Sequence, residues 1–142
     1  MRYMLDTCAL IHLTQDYELL SPDVQIIIED YENTLCVSVE SIRELIIAYR
    51  CKGLGLKTWE NETDIVSSIQ NEFFIEILPI SKEQIITYGK LSINEAENHK
   101  DPSDHVIIAH AITNKMPLIS CDRKFQFYTK QGLDLISYRR GG

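Results

Sequence analysis

The chain has 142 residues, 44% of them hydrophobic and 25% charged, with a formal net charge of −7. That length supports a single domain, residues 1–142, with a core of its own, and six Gly and four Pro are too few for a long linker or low-complexity tract. No apolar run approaches the length that crosses a bilayer, and Asp6 interrupts the apolar N-terminal stretch, so the expectation is a cytoplasmic protein with no signal peptide and no membrane span.

Taken in chain order, short apolar runs alternate with helical patterns. Arg2–Leu5 predicts a first strand ending at Asp6, and Thr7–Leu13 a short helix. Ser21, Pro22 and Asp23 form a strong helix start, with a capping hydroxyl, a proline at the first position and an early acid. That helix is expected to reach Tyr31. Thr34–Ser38 is rich in β-formers and predicts a second strand. A helix over Glu40–Cys51, stopped by Gly53, and another over Glu60–Asn71 follow. Phe74–Leu78 alternates and stops at Pro79, as a third strand would. Ser81 caps a helix to about Ser92, and Asp101-Pro102 opens the helix holding HVIIAHAI. Leu118–Ser120 is the fourth strand, a short helix starts at Arg123, and Leu133–Ser137 is the fifth strand.

Strands alternating with helices imply crossover connections and a parallel sheet covered on both faces. The expected fold is therefore α/β, a three-layer α/β/α sandwich around about five parallel strands. Ligands in such folds bind beyond the carboxyl ends of the strands.

Acids stand at those ends. Asp6 follows the first strand, Asp122 follows the fourth, and Asp101 and Asp104 open a helix. Glu44 replaces an apolar residue in the stripe Glu44, Ile47, Ala48, Cys51, opposite the apolar stripe Ile42, Leu45, Ile46, Tyr49. A carboxylate there sits at the edge of burial or needs a partner, and a metal ion would be one. Each acid also has a plain structural role open to it. Asp6, Asp101 and Asp122 precede helices, where Asp is a favoured N-cap, and Asp104 suits the positive end of its helix. Capping alone does not require all of them to fall at one end of one sheet.

The segments MLDTCALI, SVESIREL, KDPSDHVIIAHA and LISCDRKF resemble the successive acidic motifs of PIN-domain nucleases, and their order and spacing resemble those of VapC toxins. The resemblance implies that Asp6, Glu44, Asp104 and Asp122 bind metal and carry catalysis, with Asp101 as the additional acid of a DPxDR form of the third motif. It implies an endoribonuclease, the toxin of a toxin–antitoxin pair, that is a homodimer held inactive by a cognate antitoxin. His105 stands in place of the Arg of that third motif and Ser103 in place of a common Phe. Whether Asp101 or Asp104 is the closer ligand stays open.

Clustered carboxylates repel one another unless a cation joins them. A hard ion such as Mg²⁺, or Mn²⁺ in its place, suits oxygen ligands, and one or two such ions would stabilise the charge that develops in phosphodiester cleavage. Thr7 and Ser120 are placed to support the ligands by hydrogen bonds. Residues 1–104 carry 8 Lys/Arg against 19 Asp/Glu, whereas residues 105–142 carry 6 against 2. An acidic metal site and a basic backbone-binding strip can therefore coexist. Arg50, Lys52, Arg123 and Lys124 are the candidates to hold RNA phosphates, and a solvated surface is the ordinary alternative for each.

Other chemistries find little support. There is no phosphate-loop or dinucleotide fingerprint and no nucleophile elbow. His12, His99, His105 and His110 lack the spacing of a HExxH zinc site, and His105 reads as a helix-surface histidine. Cys8, Cys36, Cys51 and Cys121 form no CxxC pair and read as free buried thiols. The competing functions are a PIN-type nuclease in RNA processing or DNA cleavage, a catalytically silent PIN-like binding module, and a receiver-like phosphoryl-transfer domain. The single acid of MLDTC argues against the last.

Overall fold

A computed structural model describes residues 1–141. The strands are β1 (Arg2–Leu5), β2 (Thr34–Ser38), β3 (Glu76–Leu78), β4 (Leu118–Ser120) and β5 (Leu135–Ser137). The helices are α1 (Thr7–Gln15), α2 (Pro22–Glu29), α3 (Val39–Lys52), α4 (Glu62–Asn71), α5 (Lys82–Lys90) and α6 (Pro102–Thr113). All strand pairs are parallel, in the order β3-β2-β1-β4-β5. β1 is central, and the chain leaves it toward β2 on one side and returns to β4 on the other. The reversal of strand order between β1 and β4 opens a crevice at their carboxyl ends, where α/β proteins bind ligands.

Alternation along the strands builds two cores. Leu5, Val37 and Ile119 face one way and pack with Leu10, Val24, Leu45 and Ile65 from the first four helices. Met4, Cys36 and Leu118 face the other way and meet Ile107 and Ile108 of α6 with Phe125 and Tyr128. A period of two in the sheet thus divides the chain into the expected three layers.

Several boundaries differ from the sequence expectation for local reasons. α2 stops at Glu29, because Asp30 turns extended and its side chain accepts the Glu32 N–H at 3.0 Å. α4 starts only at Glu62, where Asn61 accepts the Asp64 N–H at 3.0 Å. β3 begins at Glu76, since Phe74 has a φ of +56° and an exposed ring. α5 ends at Lys90, two residues short of Ser92. The segment Arg123–Gln131 is a 3₁₀-helix, and Gly132 (φ +104°) ends it before β5, which starts at Leu135 rather than Leu133. Gly53 does stop α3, at φ +66°. Of the four free cysteines only Cys36 is buried; Cys8 and Cys121 are half-buried and Cys51 is exposed. Among the described residues no helix is long and apolar enough to cross a membrane.

Candidate metal centre

Three aspartates at the sheet edge are pinned in the same way. Asp6 Oδ1 accepts the Ala9 N–H at 2.8 Å, opening α1. Asp101 Oδ1 accepts the Ser103 N–H at 2.9 Å, opening α6. Asp122 Oδ1 accepts the Lys124 N–H at 2.9 Å, opening the 3₁₀-helix. Capping and ligation are therefore not rival roles. Each cap uses one carboxylate oxygen and fixes the direction of the other.

The acids gather in two overlapping groups. Donor atoms of Glu44, Asp101 and Asp104 all lie within 4.8 Å of one another, and so do those of His99, Asp104 and Asp122. Asp104 belongs to both. Asp101 and Asp104 are thus both at the same cluster, with Asp104 at the junction. Among the described residues Asp6 joins neither group, although it is close enough to feel the Asp104 charge.

Their electrostatics are unfavourable without a cation. Burial pushes the Asp6 carboxyl up to about 7, against hydrogen bonds from Ser120 and the Ala9 N–H that favour its charged form. Burial also pushes Asp104 up to about 8, and the charges of Asp101, Glu44 and Asp122 add to it. Glu44 is raised as well, by burial first, while hydrogen bonds from Thr7 and Ser103 oppose the rise. Carboxylates so desolvated and crowded fit a divalent ion, which would remove the repulsion and restore their charge. Glu44, Asp101, Asp104 and Asp122 offer the oxygen donors that Mg²⁺ or Mn²⁺ takes, and His99 adds one nitrogen.

Both predicted supporting hydroxyls touch the acids. Thr7 donates to Glu44 and also lies 3.2 Å from Ser41 Oγ. Ser120 Oγ accepts the Asp122 N–H at 3.0 Å and hydrogen-bonds Asp6, linking the ends of β1 and β4.

Three site residues escaped the sequence reading. Glu40 is paired with Arg43 and accepts from Ser103 Oγ at 2.6 Å. Burial alone would raise its pKa, but the Arg43 and Ser103 hydrogen bonds outweigh it and the pKa falls. Arg43 lines a groove of about 360 Å³ with Thr7, Glu44, Lys52 and Asp101. His99 is 2% exposed, and its Nε2 lies 2.9 Å from Asp104 Oδ2. His99 sits in the loop before α6, where no periodicity marks a residue. His105, expected on the helix surface, is instead buried, and its Nε2 donates to the His99 carbonyl at 2.9 Å.

The predicted basic residues divide. Lys52 lines the groove, and the Lys124 charge acts on Asp104. Arg50 turns away to Glu62 at 3.3 Å. Arg123 extends into solvent, 3.8 Å from Glu97, at the rim of a second groove of about 880 Å³ that it shares with Arg139.

A PIN-domain family profile matches residues 3–130. No curated protein matches the sequence. Among solved structures, the chain is similar to one in VapBC2 from Rickettsia felis bound to a promoter DNA fragment, with a TM-score of 0.69 and 19% identity over 97% of this chain and 99% of that one. A chain of DNA-bound VapBC from Salmonella typhimurium gives 0.69 and 16% over 96% and 98%. VapBC-5 from Mycobacterium tuberculosis, a member of the VapBC family of toxin–antitoxin systems, gives 0.56 and 18% over 97% and 98%. At these identities the shared property is the fold.

Proposed function

The chain belongs to the PIN-domain family, and from that premise we propose that it is a single-domain, metal-dependent endoribonuclease, the toxin of a toxin–antitoxin pair. The observation that carries this reading is the convergence of Glu44, Asp101, Asp104 and Asp122 at the carboxyl edge of a parallel sheet, with Asp104 common to two donor groups. The similar VapBC structures, one of them described as a toxin–antitoxin system, support the toxin assignment.

In this reading Glu44, Asp101, Asp104 and Asp122 hold Mg²⁺ or Mn²⁺. When bound, the ion polarises the scissile phosphate and offsets the charge that builds on its oxygens. The remaining tasks fall to the chain. Thr7 holds Glu44 in one orientation through its hydroxyl, and Ser103 holds the neighbouring Glu40. The caps at Ala9, Ser103 and Lys124 hold the three aspartates. Asp6, the most buried of the acids, accepts a proton near neutral pH and is placed to orient water at the crevice. Lys52, Arg43 and Lys124 border the acids and steer the phosphate backbone toward them. The mixture of acid and base along the groove also suits a basic antitoxin peptide, which would seat against Glu44 and Asp101 and exclude RNA. The active species is a homodimer that works in the cytoplasm.

The test is cleavage of labelled total RNA by antitoxin-free protein with Mg²⁺, Mn²⁺ or EDTA, using wild type and Asp6→Asn. Cleavage that needs the ion and disappears in the variant is expected. Folded wild type that cuts nothing with either ion would redirect the assignment to a binding module.

A further inference from the structure

Every acid in the site except Asp6 has a neighbour of its own kind. His99 breaks that pattern. Its ring is held on all sides. It packs 5.5 Å from Phe125 and 4.8 Å from His105, centroid to centroid. Its backbone is pinned twice, by its N–H donating to the Asn94 carbonyl at 3.0 Å and by His105 Nε2 donating to its own carbonyl. Nδ1 lies 2.9 Å from the Tyr128 hydroxyl, and the Tyr128 oxygen in turn accepts the Asn94 N–H at 3.1 Å. Nε2 is left to face Asp104 and Asp122.

A ring fixed this firmly, with one nitrogen served from behind and the other aimed at two carboxylates, has the layout of a metal-ligating histidine. Such histidines almost always have the second ring nitrogen held by a hydrogen-bond partner, which sets the tautomer and the ring orientation. The spacing agrees. Nε2 is 2.9 Å from Asp104 Oδ2, and the donor atoms of His99, Asp104 and Asp122 all lie within 4.8 Å of one another, close enough to share one ion. An apolar side chain would fill the same buried space without the cost of burying an imidazole.

We propose, resting on the metal-dependent reading above, that His99 is a nitrogen ligand of the ion held by Asp104 and Asp122, and that it turns this side of the site toward first-row transition ions such as Mn²⁺ over Mg²⁺. Imidazole suits transition metals, while carboxylate and water suit Mg²⁺. Without metal, Nε2–H donates to Asp104 and the Tyr128 hydroxyl donates to Nδ1. With metal, the proton sits on Nδ1 and donates to the Tyr128 oxygen, and Nε2 presents its lone pair to the ion. The ring is neutral in both states. A hydroxyl can donate or accept as needed, so Tyr128 serves either tautomer. The opposite group, Glu44, Asp101 and Asp104, is all oxygen and carries no such bias.

The test is Mn²⁺ and Mg²⁺ binding by the metal-free 142-residue protein, read by calorimetry, together with pulsed electron paramagnetic resonance of the Mn²⁺ form. Wild type should show nuclear modulation from a directly bound nitrogen, and ¹⁵N-histidine labelling should change its frequency. Among the described residues His99 is the only histidine in a potential ligand group, so the labelled wild type identifies it even where a variant folds poorly. In His99→Gln the nitrogen signal should vanish and Mn²⁺ affinity fall about tenfold, while Mg²⁺ affinity stays nearly level. Mn²⁺ bound by wild type with no nitrogen coupling would overturn the ligand role and leave the metal-dependent reading standing, with His99 a donor to Asp104 only. Wild type that binds no Mn²⁺ would overturn both.

Discussion

The Thr7 hydroxyl donates to Glu44, joining the first turn of α1 to the second turn of α3 across the crevice. Thr7 follows Asp6 directly, so one turn of chain both supplies an acid and steadies another. Glu44 is half-buried and already raised by that burial, and this donor keeps it from rising further. Thr7→Val keeps the shape and removes the donor. Metal affinity should fall about tenfold, with a loss of stability of only about 1 kcal/mol. Thr7→Ser should restore both. Mn²⁺ calorimetry and denaturant unfolding of the three proteins provide the check.

Asp104→Asn removes the charge common to both donor groups. In EDTA at pH 8.5 the variant should melt higher than wild type, because a crowded, desolvated carboxylate has gone. With metal it should bind far more weakly, and any RNA cleavage should drop at least ~100-fold. Thermal melts with and without Mn²⁺ show whether stability and function move in opposite directions, as strained sites require. A lower melting point in EDTA would contradict the electrostatic picture.

The pH dependence has a definite sign. Asp6 at about 7 and Asp104 at about 8 are raised above an unfolded aspartate of about 3.9. These two carboxyls hold protons in the metal-free folded chain that the unfolded chain has lost, so their contribution to stability falls as pH rises through about 7 and 8, above the range in which the four histidines, lowered by burial, act in the opposite direction. Saturating Mn²⁺ should flatten or reverse the slope, since the ion competes with those protons. Melting temperatures from about pH 7 to about pH 9, in EDTA and in Mn²⁺, measure both slopes.

Gly55→Ala tests the packing behind α3. Gly55 has a φ of +156°, and a Cβ there would come 2.8 Å from Trp59 Cε3 and 3.1 Å from Tyr49 Cδ1. Both rings belong to the core on the α1 face. Backbone strain and the clash together should cost about 1–3 kcal/mol. Equilibrium unfolding in urea gives the value, and a neutral result would mean that the Trp59 ring can shift freely.

The sheet and the acids were readable because they obey strong, local rules. Leu5, Val37 and Ile119 alternate with Met4, Cys36 and Leu118, and each of the first four strands hands the chain to a capped helix. Asp6, Asp101 and Asp122 stand where such caps belong, and Glu44 interrupts an apolar stripe. His99 and Glu40 were not readable for the opposite reason. His99 gains its meaning only when the loop before α6 folds against Phe125 and Tyr128, contacts that are distant in sequence. Glu40 looks like any acid in a first turn until Arg43 and Ser103 close on it. His105 misled, because a histidine in the first turn of a helix ordinarily faces solvent, while this ring turns inward to the His99 carbonyl. Arg50 misled in the same manner, since its partner Glu62 lies on the next helix.

The shared capping geometry of the three aspartates gives the molecule its own reporters. The amides of Ser103 and Lys124 each donate to a carboxylate that also belongs to a donor group, through its second oxygen, and the Ala9 amide donates to Asp6, which feels the charge of Asp104. Any change in charge at that second oxygen alters the strength of the amide bond at the first. Those three amide protons, on three separate segments of chain, should therefore shift and change their exchange with solvent in concert as the site fills or empties. Occupancy of the crevice would then be visible in an amide spectrum of the protein at rest, with no substrate present and no turnover to follow.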